Sequence, residues 1–303
     1  MIKGRLLQLQ GIESTEIAYN PAVIVQKNTD QIVGGSKIIA VRVESLDSHW
    51  LNPKLYDPRV RFFYEQDDNI LEPIPDTPVF YQAEDPWATW FKDKQGNPQL
   101  LFGVVVVDYS GSEPVITTRL HLAPSVQALV VDKPLIEIRG MKDVRVVQLP
   151  NGQIAVFSRP TTGVAFPGRI GFTIVENLLD INQALATAPL LKFELDKKTK
   201  IGANEAYLVN DRIHVFGHMA TIDARGLHYA AYEFSLDPKH PCDEVIALNK
   251  VADRADFPAN TQASKGHQFD DVVFPGGTGG PEYTELYVGV EDARIGKIEL
   301  GEE

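Results

Sequence analysis

The sequence predicts an all-β fold, and three features indicate it. Strand-length apolar segments dominate, turn signals separate them, and helical periodicity is confined to one short segment. In residues 37–44, alternation places Ile39, Val41 and Val43 on one face of a strand. Residues 100–108 form a nearly continuous apolar run, which is typical of a strand buried on both faces.

Turn residues define the hairpins. The Pro-Asn-Gly turn at 150–152 separates the apolar segments 144–148 and 153–157, which is a strong signal for an antiparallel pair. Apolar positions at helical spacing predict one helix within residues 175–185, which ends before Pro189. The other predicted strands are residues 59–64, 205–209, 212–216, 227–234 and 285–289.

The predicted hairpins cluster about every 50 to 60 residues without a strict repeat, which favours either a large sandwich or a propeller. Five blades of about 55 residues would use the whole chain of 303 residues. Propellers often close by pairing an N-terminal strand with the last blade, and residues 5–10 suit that strand. Because no linker interrupts the chain, we expect residues 1–303 to form a single five-bladed β-propeller domain.

Composition limits the classes of partner. With 29 Lys+Arg and 41 Asp+Glu, the formal net charge is −12, so a general nucleic-acid binder, which needs a basic surface, is not expected. The same charge argues against an anionic membrane surface. The single cysteine, Cys242, excludes an intramolecular disulfide and a cysteine-rich metal site. No apolar run is long enough for a signal peptide or a membrane span, so we expect a cytoplasmic protein.

Two candidate binding segments carry carboxylates on predicted strands or turns. Arg42 and Glu44 share the strand face opposite the apolar one, where an arginine can clamp a sugar hydroxyl or a phosphate. A solvated ion pair is the alternative. Glu84 and Asp85 precede a proline, which favours an extended, rigid backbone that would aim a carboxylate for general acid or base catalysis. The alternative is that Asp85 only begins a turn.

Two further segments suit anions and hydroxyl groups. Arg159 and Arg169 flank a loop rich in Gly, Pro and Thr, which could hold an anion such as phosphate or could be a solvated loop. Asn204 and Glu205 stand side by side at a strand start and suit the recognition of sugar hydroxyls, although Asn and Gly clusters are also common in turns.

Histidines and tryptophans complete the candidates. His218 and His228 lie on adjacent predicted strands and could face one site, but no third ligand lies at a familiar spacing for a metal. Each histidine alone could instead be a satisfied core residue. Asp271 enters an apolar strand before a glycine-rich turn that has no dinucleotide-binding or Walker pattern. Trp87 and Trp90 offer faces on which a sugar could stack. No catalytic metal and no cofactor are predicted.

The order of these motifs resembles the mannosyltransferase/phosphorylase family of five-bladed propellers, which is related to the β-mannoside phosphorylases. The resemblance covers residues 37–296, and it depends on short motifs whose order and spacing together are specific. The motifs are Arg42-x-Glu44, Glu84-Asp85-Pro86, Arg159-Pro160, Gly168-Arg169, Gly202-Ala203-Asn204-Glu205, Gly217-His218-x-Ala220, His228-Tyr229 and the run from Asp271 to Gly277.

The resemblance implies inverting phosphorolysis or synthesis of β-1,2-mannosides, with mannose 1-phosphate or GDP-mannose as the mannosyl donor. The partners would be mannosides, inorganic phosphate, mannose 1-phosphate and GDP-mannose. Members of the family use one catalytic aspartate, and Asp85 is the matching position. The phosphate ligands that we expect are Arg159, Arg169, His218, Tyr229 and Lys265. The sugar ligands that we expect are Arg42, Glu44, Glu84, Asn204, Glu205, His228 and Asp271.

A lone catalytic carboxylate suits phosphorolysis. An inverting hydrolase needs a second carboxylate to activate water, whereas phosphate is already an anionic nucleophile and needs cations to hold it. Two alternatives stay open. One is a non-catalytic sugar-binding propeller. The other is a water-using glycoside hydrolase whose base would be Glu84, Asp270 or Asp271. The leading interpretation predicts a small cationic pocket in an acidic protein, formed by Arg42, Arg159, Arg169 and His218.

Overall fold

A computed structural model gives the fold of most of the chain. The fold is all-β, as the sequence predicts, and its strands form mainly antiparallel sheets. The structure describes residues 4–25, 37–48, 52, 54–67, 69–111, 113–161, 168–259, 265–280 and 284–301.

The strands vary in length, and several of them contain the apolar segments of the sequence. In chain order they are β1 (Gly4–Leu6), β2 (Gln8–Leu9), β3 (Glu16–Ile24), β4 (Ile38–Ser45), β5 (Arg59–Asp67), β6 (Ile70–Pro73), β7 (Phe80–Tyr81), β8 (Ala83–Lys92), β9 (Pro98–Asp108), β10 (Val115–Ala123), β11 (Ile136–Arg139), β12 (Met141–Gln148), β13 (Ile154–Pro160), β14 (Gly171–Val175), β15 (Lys200–Val209), β16 (Arg212–Asp223), β17 (Gly226–Leu236), β18 (Asn249–Ala252), β19 (Asp271–Gly277), β20 (Glu285–Val290) and β21 (Arg294–Glu299).

Helix is a minor component of the described chain. The α-helix α1 (Ile181–Leu185) buries Ile181 and Leu185, and a 3-10 turn (Leu178–Asp180) precedes it. The helix is therefore shorter than the predicted 175–185, because Val175 still belongs to β14. Two further 3-10 turns are Arg254–Asp256 and His267–Phe269.

The strands pair mostly with their sequence neighbours. The sheet orders are β2-β6-β5-β4-β3 with β7 beside β5, β11-β10-β9-β8, β12-β13-β14, and β1-β21-β20-β19-β17-β16-β15 with β18 beside β17. The pairs β2–β6 and β17–β19 are parallel. The N-terminal β1 pairs antiparallel with β21, with Gly4 opposite Ile298.

The first strands of successive antiparallel groups face one another. Among the described residues, β3 contacts β8, β8 contacts β12, β12 contacts β15, β15 contacts β19, and β19 contacts β3. This closed order of contacts brings side chains from distant parts of the chain to one central region.

Apolar side chains fill the spaces between neighbouring sheets. Phe62, Phe80 and Phe102 pack together between two sheets, and the Phe102 ring centroid lies 5.2 Å from each of the other two. Burying each such side chain stabilises the fold by roughly 1.5–3 kcal/mol. Since the apolar clusters occupy these spaces, the central region between β3, β8, β12, β15 and β19 is left for buried polar residues. In the part of the chain that the structure describes, no helix has the length and apolar character needed to cross a membrane.

Candidate active site

Each of the strands β3, β8, β12, β15 and β19 carries a β-bulge, a place where one extra residue opposes the neighbouring strand. The shifts of register lie between Tyr19 and Pro21, Glu84 and Trp87, Lys142 and Arg145, Ala203 and Glu205, and Pro275 and Gly277. We name one residue inside each shift and call the set the bulge ring: Asn20, Asp85, Asp143, Asn204 and Gly276.

The bulge ring brings neighbouring strands into close contact. Asn20 and Asp85 are hydrogen-bonded, with 2.9 Å between Nδ2 and Oδ1. Gly276 lies against β3 so closely that a Cβ atom there would be 2.0 Å from the Pro21 carbonyl oxygen. A side chain other than glycine therefore has no room at position 276, and the bulges of β19, β3 and β8 converge.

Asp85 occupies its bulge with a left-handed backbone. Its φ is 48°, so the extended conformation expected before a proline is wrong. Its Oδ1 accepts hydrogen bonds from Asn20 Nδ2 at 2.9 Å and from Arg42 Nη1 at 3.2 Å. No described residue donates to Oδ2, and the side chain is 13% exposed. One oxygen of the predicted catalytic carboxylate is thus held, while the other is open to a ligand.

Arg42 and Glu44 form a buried ion pair, so the solvated pair considered as an alternative is wrong. Arg42 Nε donates to Glu44 Oε1, and the two residues are 8% and 0% exposed. Lys265 Nζ lies 2.5 Å from Glu44 Oε2 and 2.7 Å from the Tyr19 hydroxyl. Burial alone would raise the pKa of Glu44, but Arg42 and Lys265 outweigh it and hold that pKa at about 2. Glu44 is therefore an anionic anchor for two cations.

Glu84 is held on the other side of Arg42. Its carboxylate accepts hydrogen bonds from the Tyr56 hydroxyl and, at 2.6 Å, from Lys142 Nζ, and it lies 3.1 Å from Arg42 Nη1. Burial would raise the pKa of Glu84, but Lys142 and Arg42 lower it to about 2. Lys142, which the sequence analysis did not select, thus belongs to the site.

Asp143 is a buried carboxylate that the sequence analysis also did not select. It is 3% exposed, and its φ of 51° matches that of Asp85. Its Oδ2 accepts a hydrogen bond from Arg159 Nε. Burial would raise the pKa of Asp143, but Arg159 outweighs it and holds the pKa at about 2. Arg159, an expected phosphate ligand, is therefore the ion-pair partner of a bulge carboxylate.

His218 is an uncharged member of the site. Its Nδ1 donates to Asn204 Oδ1 at 2.7 Å, and its Nε2 lies 3.9 Å from Asp143 Oδ2. Its ring lies against Tyr229 and Phe274, with centroid distances of 5.4 Å and 4.8 Å. Burial lowers the pKa of His218 to about 3, although Asp143 opposes this. His218 therefore does not supply the positive charge that the predicted cationic pocket included.

Arg145 completes this side of the site and explains the position of one tryptophan. Its guanidinium lies 5.4 Å from the centre of the Trp87 ring, and its Nε donates to the Asn204 carbonyl. Burial lowers the pKa of Arg145 to about 10. Trp87 is buried, and Trp90 packs against the apolar core and donates to the Val25 carbonyl. The prediction that Trp87 offers a stacking face to a sugar is therefore wrong, whereas for Trp90, which is partly exposed, it stays a prediction.

Glu205 holds the glycine-rich turn after β19. Its carboxylate accepts hydrogen bonds from the Thr278 amide at 2.5 Å and from the Gly279 amide at 2.8 Å. Gly277 has a φ of 121°, and a Cβ atom there would be 2.8 Å from Glu205 Cδ. Burial raises the pKa of Glu205. The side chain that was expected to bind sugar is engaged in fixing this turn.

Arg169 is directed at backbone carbonyls. Its Nη2 donates to the Asp196 carbonyl at 3.0 Å, and its Nη1 donates to the carbonyls of Gly168 and Thr199. No described contact joins it to the bulge ring. The middle of the loop between Arg159 and Arg169, residues 162–167, lies outside the described residues, and the phosphate role of Arg169 stays a prediction.

His228 and Asp271 bind each other where β17 and β19 pair in parallel. His228 Nδ1 lies 2.6 Å from Asp271 Oδ2, and its Nε2 lies 2.8 Å from Asp223 Oδ1. Hydrogen bonds to Asp223 and Asp271 raise the pKa of His228. His228 thus has other partners than His218, and a site shared by the two histidines stays a prediction. The sugar-binding roles of His228 and Asp271 stay predictions.

Asp292 is a further carboxylate of the site that the sequence analysis did not select. It lies in the turn between β20 and β21 with a φ of 48°, next to Glu291, whose buried carboxylate is 2.6 Å from Arg254 Nη2. Burial raises the pKa of Asp292 to about 6, Arg42 opposes the rise, and Asp85 adds to it. Asp292 therefore lies in the electrostatic field of the bulge ring.

The charges of the site are paired, which corrects the predicted cationic pocket. A buried cation without a nearby anion carries a large desolvation penalty, so each cation here has a carboxylate partner or neighbour. In the described chain, no three His, Cys, Asp or Glu side chains lie together as metal ligands would. The cations are Arg42, Lys142, Arg145, Arg159 and Lys265. The carboxylates are Glu44, Glu84, Asp85, Asp143 and Asp292.

Two signals in the sequence point to missed residues of the site. Asn20 and Asp85 both precede a proline within a strand, an uncommon pattern that here marks two of the bulges. The segment 142–145 carries three charged residues inside an otherwise apolar strand, and all three enter the site. Asp292 carries no such signal, because a polar residue in a hairpin turn is ordinary.

The chain is similar in sequence and fold to several solved structures. No curated protein matches the chain. MPT-4, a mannose phosphorylase from Leishmania mexicana solved with a phosphate ion, is 26% identical with a TM-score of 0.79, over 98% of this chain and 87% of that chain. MPT-1, a GDP-Man-dependent mannosyltransferase from the same organism, is 23% identical with a TM-score of 0.79, over 100% of this chain and 90% of that chain.

A more distant likeness is to a structure from the GH130 family of mannoside phosphorylases, which contains glycoside hydrolases that target β-1,2-mannosidic linkages in Candida mannan. It is 13% identical with a TM-score of 0.56, over 98% of this chain and 93% of that chain. At 23% and 13% identity, the likeness to MPT-1 and to the GH130 structure shows the fold alone. The family described as "Protein of unknown function (DUF1861)" matches residues 1–302, so this chain belongs to that family.

Proposed function

We propose that the protein is an enzyme that acts on mannosides and transfers a mannosyl group with inversion, as a phosphorylase or a mannosyltransferase. The observation that carries the proposal is the Asp85 carboxylate, which has Oδ1 held by Asn20 and Arg42 while no described residue donates to Oδ2. The likeness to a mannose phosphorylase, at 26% identity over 98% of this chain, supports the substrate class.

The architecture that fits this function is one five-bladed β-propeller domain. The closed order of contacts among β3, β8, β12, β15 and β19 supports five blades, each beginning with one of these strands. The pairing of β1 with β21 supports closure of the last blade by the N-terminal strand. In such a fold the bulge ring would surround the central pocket.

In phosphorolysis, a phosphate oxygen would form a bond to the anomeric carbon of a terminal mannose while the bond to the bridging oxygen breaks. Asp85 would give its proton to that bridging oxygen through Oδ2. The products are mannose 1-phosphate and a mannoside shortened by one unit. In synthesis the steps run in reverse, and Asp85 accepts the proton of the acceptor hydroxyl. With GDP-mannose as the donor, GDP leaves instead of phosphate.

Phosphate needs cations that can turn toward it. Arg159 and Lys142 fit best, because their side chains are 17% and 22% exposed while their partners Asp143 and Glu84 remain ionised. His218 and Tyr229 would add neutral hydrogen-bond donors. For the mannose hydroxyls, Asn204, whose Nδ2 has no partner among the described residues, fits better than Glu205, His228 and Asp271, whose polar atoms are bonded outside the bulge ring. Glu44 and Glu84 have both oxygens bonded within the site, so they would hold Arg42 in place for the sugar. The β-1,2 linkage follows from the sequence resemblance.

The test is phosphate-dependent release of mannose 1-phosphate from β-1,2-mannobiose, and mannosyl transfer from GDP-mannose, by the wild type and by Asp85→Asn. Loss of general acid catalysis is expected to lower the rate about 10²- to 10⁴-fold. Asp76→Asn is the matched control, because Asp76 is an exposed turn residue that has a similar left-handed backbone. Full activity of Asp85→Asn would remove Asp85 from the mechanism.

A hydrolase that uses water is a second candidate, and Asp292 is the observation that favours it. Burial raises the pKa of Asp292 to about 6, as suits a base that takes a proton from water near neutral pH. Glu84 is a poorer base, because its cation partners hold its pKa at about 2. Asp270 and Asp271 are each bonded to a histidine. Release of free mannose at the same rate without phosphate, abolished in Asp292→Asn, would favour hydrolysis.

A further inference from the structure

The two oxygens of Asp85 have different surroundings. Asn20 Nδ2 and Arg42 Nη1 both donate to Oδ1, at 2.9 Å and 3.2 Å, and no described residue donates to Oδ2. The two donors come from β3 and β4, which belong to another antiparallel group than β8. Because two donors hold Oδ1, the orientation of the carboxylate is fixed, and so is the direction in which Oδ2 points.

The local structure leaves few residue types possible at position 20. Asn20 has a φ of 47°, which is accessible to Gly, Asn and Asp and strained for most other residues. Pro21 follows it and restricts its backbone further. A Cβ atom at Gly289 would lie 2.3 Å from Asn20 Oδ1, so the close approach of β20 depends on that glycine.

Among those residue types, only asparagine has a neutral side-chain donor. Glycine has no side chain, and aspartate would place a second carboxylate against Asp85. Asn20 is 5% exposed, and its Oδ1 is buried without a partner in the described chain. A buried amide oxygen without a hydrogen-bond partner lowers the stability of the fold. A residue that served only packing would not need an amide here, so the hydrogen bond from Nδ2 to Asp85 is the feature that accounts for asparagine.

We propose that Asn20 is a positioning residue for Asp85: together with Arg42, it holds Oδ1 so that Oδ2 is the oxygen that gives and takes the proton. The identity of the reaction rests on the proposed function, but the orientation of the carboxylate does not. A hydrogen bond donated to the ionised carboxylate also favours that form over the protonated one. Removing it should therefore make Asp85 bind its proton at higher pH.

Other charged groups act on Asp85 from several strands, and they stay in place in the variants below. Arg42 and Lys142 lie on β4 and β12, and Arg145 and Arg159 lie on β12 and β13. Glu84 precedes Asp85 on β8, and Asp292 lies in the turn between β20 and β21. Since these groups are common to wild type and variant, a shift between the two reports the loss of the Asn20 amide.

The test uses Asn20→Gly, which keeps the left-handed backbone and removes the amide. We expect kcat to fall about 10- to 100-fold, because the acid is no longer oriented toward the bridging oxygen. KM should stay within about twofold, because Asn20 is not proposed to bind the sugar. The limb of the pH–rate profile that depends on Asp85 should move up by about one pH unit. Asn210→Gly is the control, since Asn210 has a φ of 48° in an exposed turn. It should leave both measurements unchanged.

Asn20→Asp is the second variant, and it keeps the size of the side chain. The added negative charge should move the same limb further up than Asn20→Gly does, with a similar loss of kcat. A loss of kcat with no shift of the pH profile in either variant would mean that Asn20 serves the fold alone, and it would overturn the proposal. Unchanged kcat in Asn20→Gly would overturn it as well.

A readout without turnover separates this proposal from the proposed function. The protonation of Asp85 can be followed by NMR of carbon-13-labelled aspartate carboxyls, with the signal assigned by its absence in Asp85→Asn. If the wild type processes no mannoside, the proposed function fails, yet an upward shift of about one pH unit in Asn20→Gly would still support the positioning role. No shift in this titration would overturn it.

Discussion

The bulges of β8 and β12 carry aspartates in nearly the same backbone conformation, yet the two carboxylates are held differently. Asp85 and Asp143 have φ values of 48° and 51°. Asp85 is held through one oxygen, by a neutral amide and by Arg42, and its side chain is 13% exposed. Asp143 is 3% exposed and pairs with Arg159.

A bulge therefore sets the direction of a carboxylate, while the neighbouring residues decide what that carboxylate can do. On β8 the carboxylate keeps an oxygen free for a proton. On β12 the carboxylate neutralises a guanidinium. Burial would raise the pKa of Asp143, but Arg159 outweighs it and holds that pKa at about 2, so the carboxylate is ionised at neutral pH. We therefore expect substitutions of Asp85 to affect activity and substitutions of Asp143 to affect stability first.

The largest effect is expected from Asp143→Asn. The variant leaves Arg159, whose side chain is only 17% exposed, without its anion, and breaking a buried pair destabilises a protein by up to about 3–5 kcal/mol. Asp85→Asn, on the more exposed carboxylate, should change the free energy of unfolding much less. Urea unfolding of both variants measures the contrast. Equal stabilities would mean that the two bulges are energetically alike and would contradict the comparison.

The sequence predicted part of the fold and one of the two aspartates. Apolar patterns predicted the all-β class and strands such as β9, but β3, β8 and β10 were missed because polar residues interrupt their alternation. The Asp-Pro pair marked Asp85, although with the wrong backbone. Asp143 was missed because its role depends on Arg159 and His218, which only the pairing of β12 with β13 and the contact of β12 with β15 bring near.

A smaller effect of opposite sign is expected from Asp292→Asn. Burial raises the pKa of Asp292 to about 6 from an ordinary 3.8, so the folded protein holds a proton that the unfolded chain releases between these values. Stability is therefore lost as the pH rises through that window. A neutral amide removes this loss, and two pH units correspond to at most about 3 kcal/mol.

The measurement for Asp292→Asn is urea unfolding at pH 4 and at pH 7.5. The variant should exceed the wild type at pH 7.5 and match it at pH 4, where Asp292 is protonated in the folded protein. Asp211→Asn is a suitable control, because Asp211 is an exposed turn residue with a φ of 62°. A variant less stable than the wild type at pH 7.5 would show that the charge of Asp292 stabilises the site through Arg42.

The smallest expected effect tests whether the surroundings of Asp143 are closed, unlike those of Asp85. A Cβ atom at Gly202 would lie 2.1 Å from Asp143 Oδ2 and 2.5 Å from His218 Cε1. Gly202→Ala should therefore push the buried carboxylate from Arg159 and cost about 1–3 kcal/mol, as overpacking does. In Gly111→Ala the new Cβ meets only an ordinary contact at 3.6 Å, so little change is expected. If Gly202→Ala unfolds at the same urea concentration as the wild type, the surroundings of Asp143 are not more tightly packed than those of Asp85. The contrast between the two aspartates must then lie in their charge partners alone.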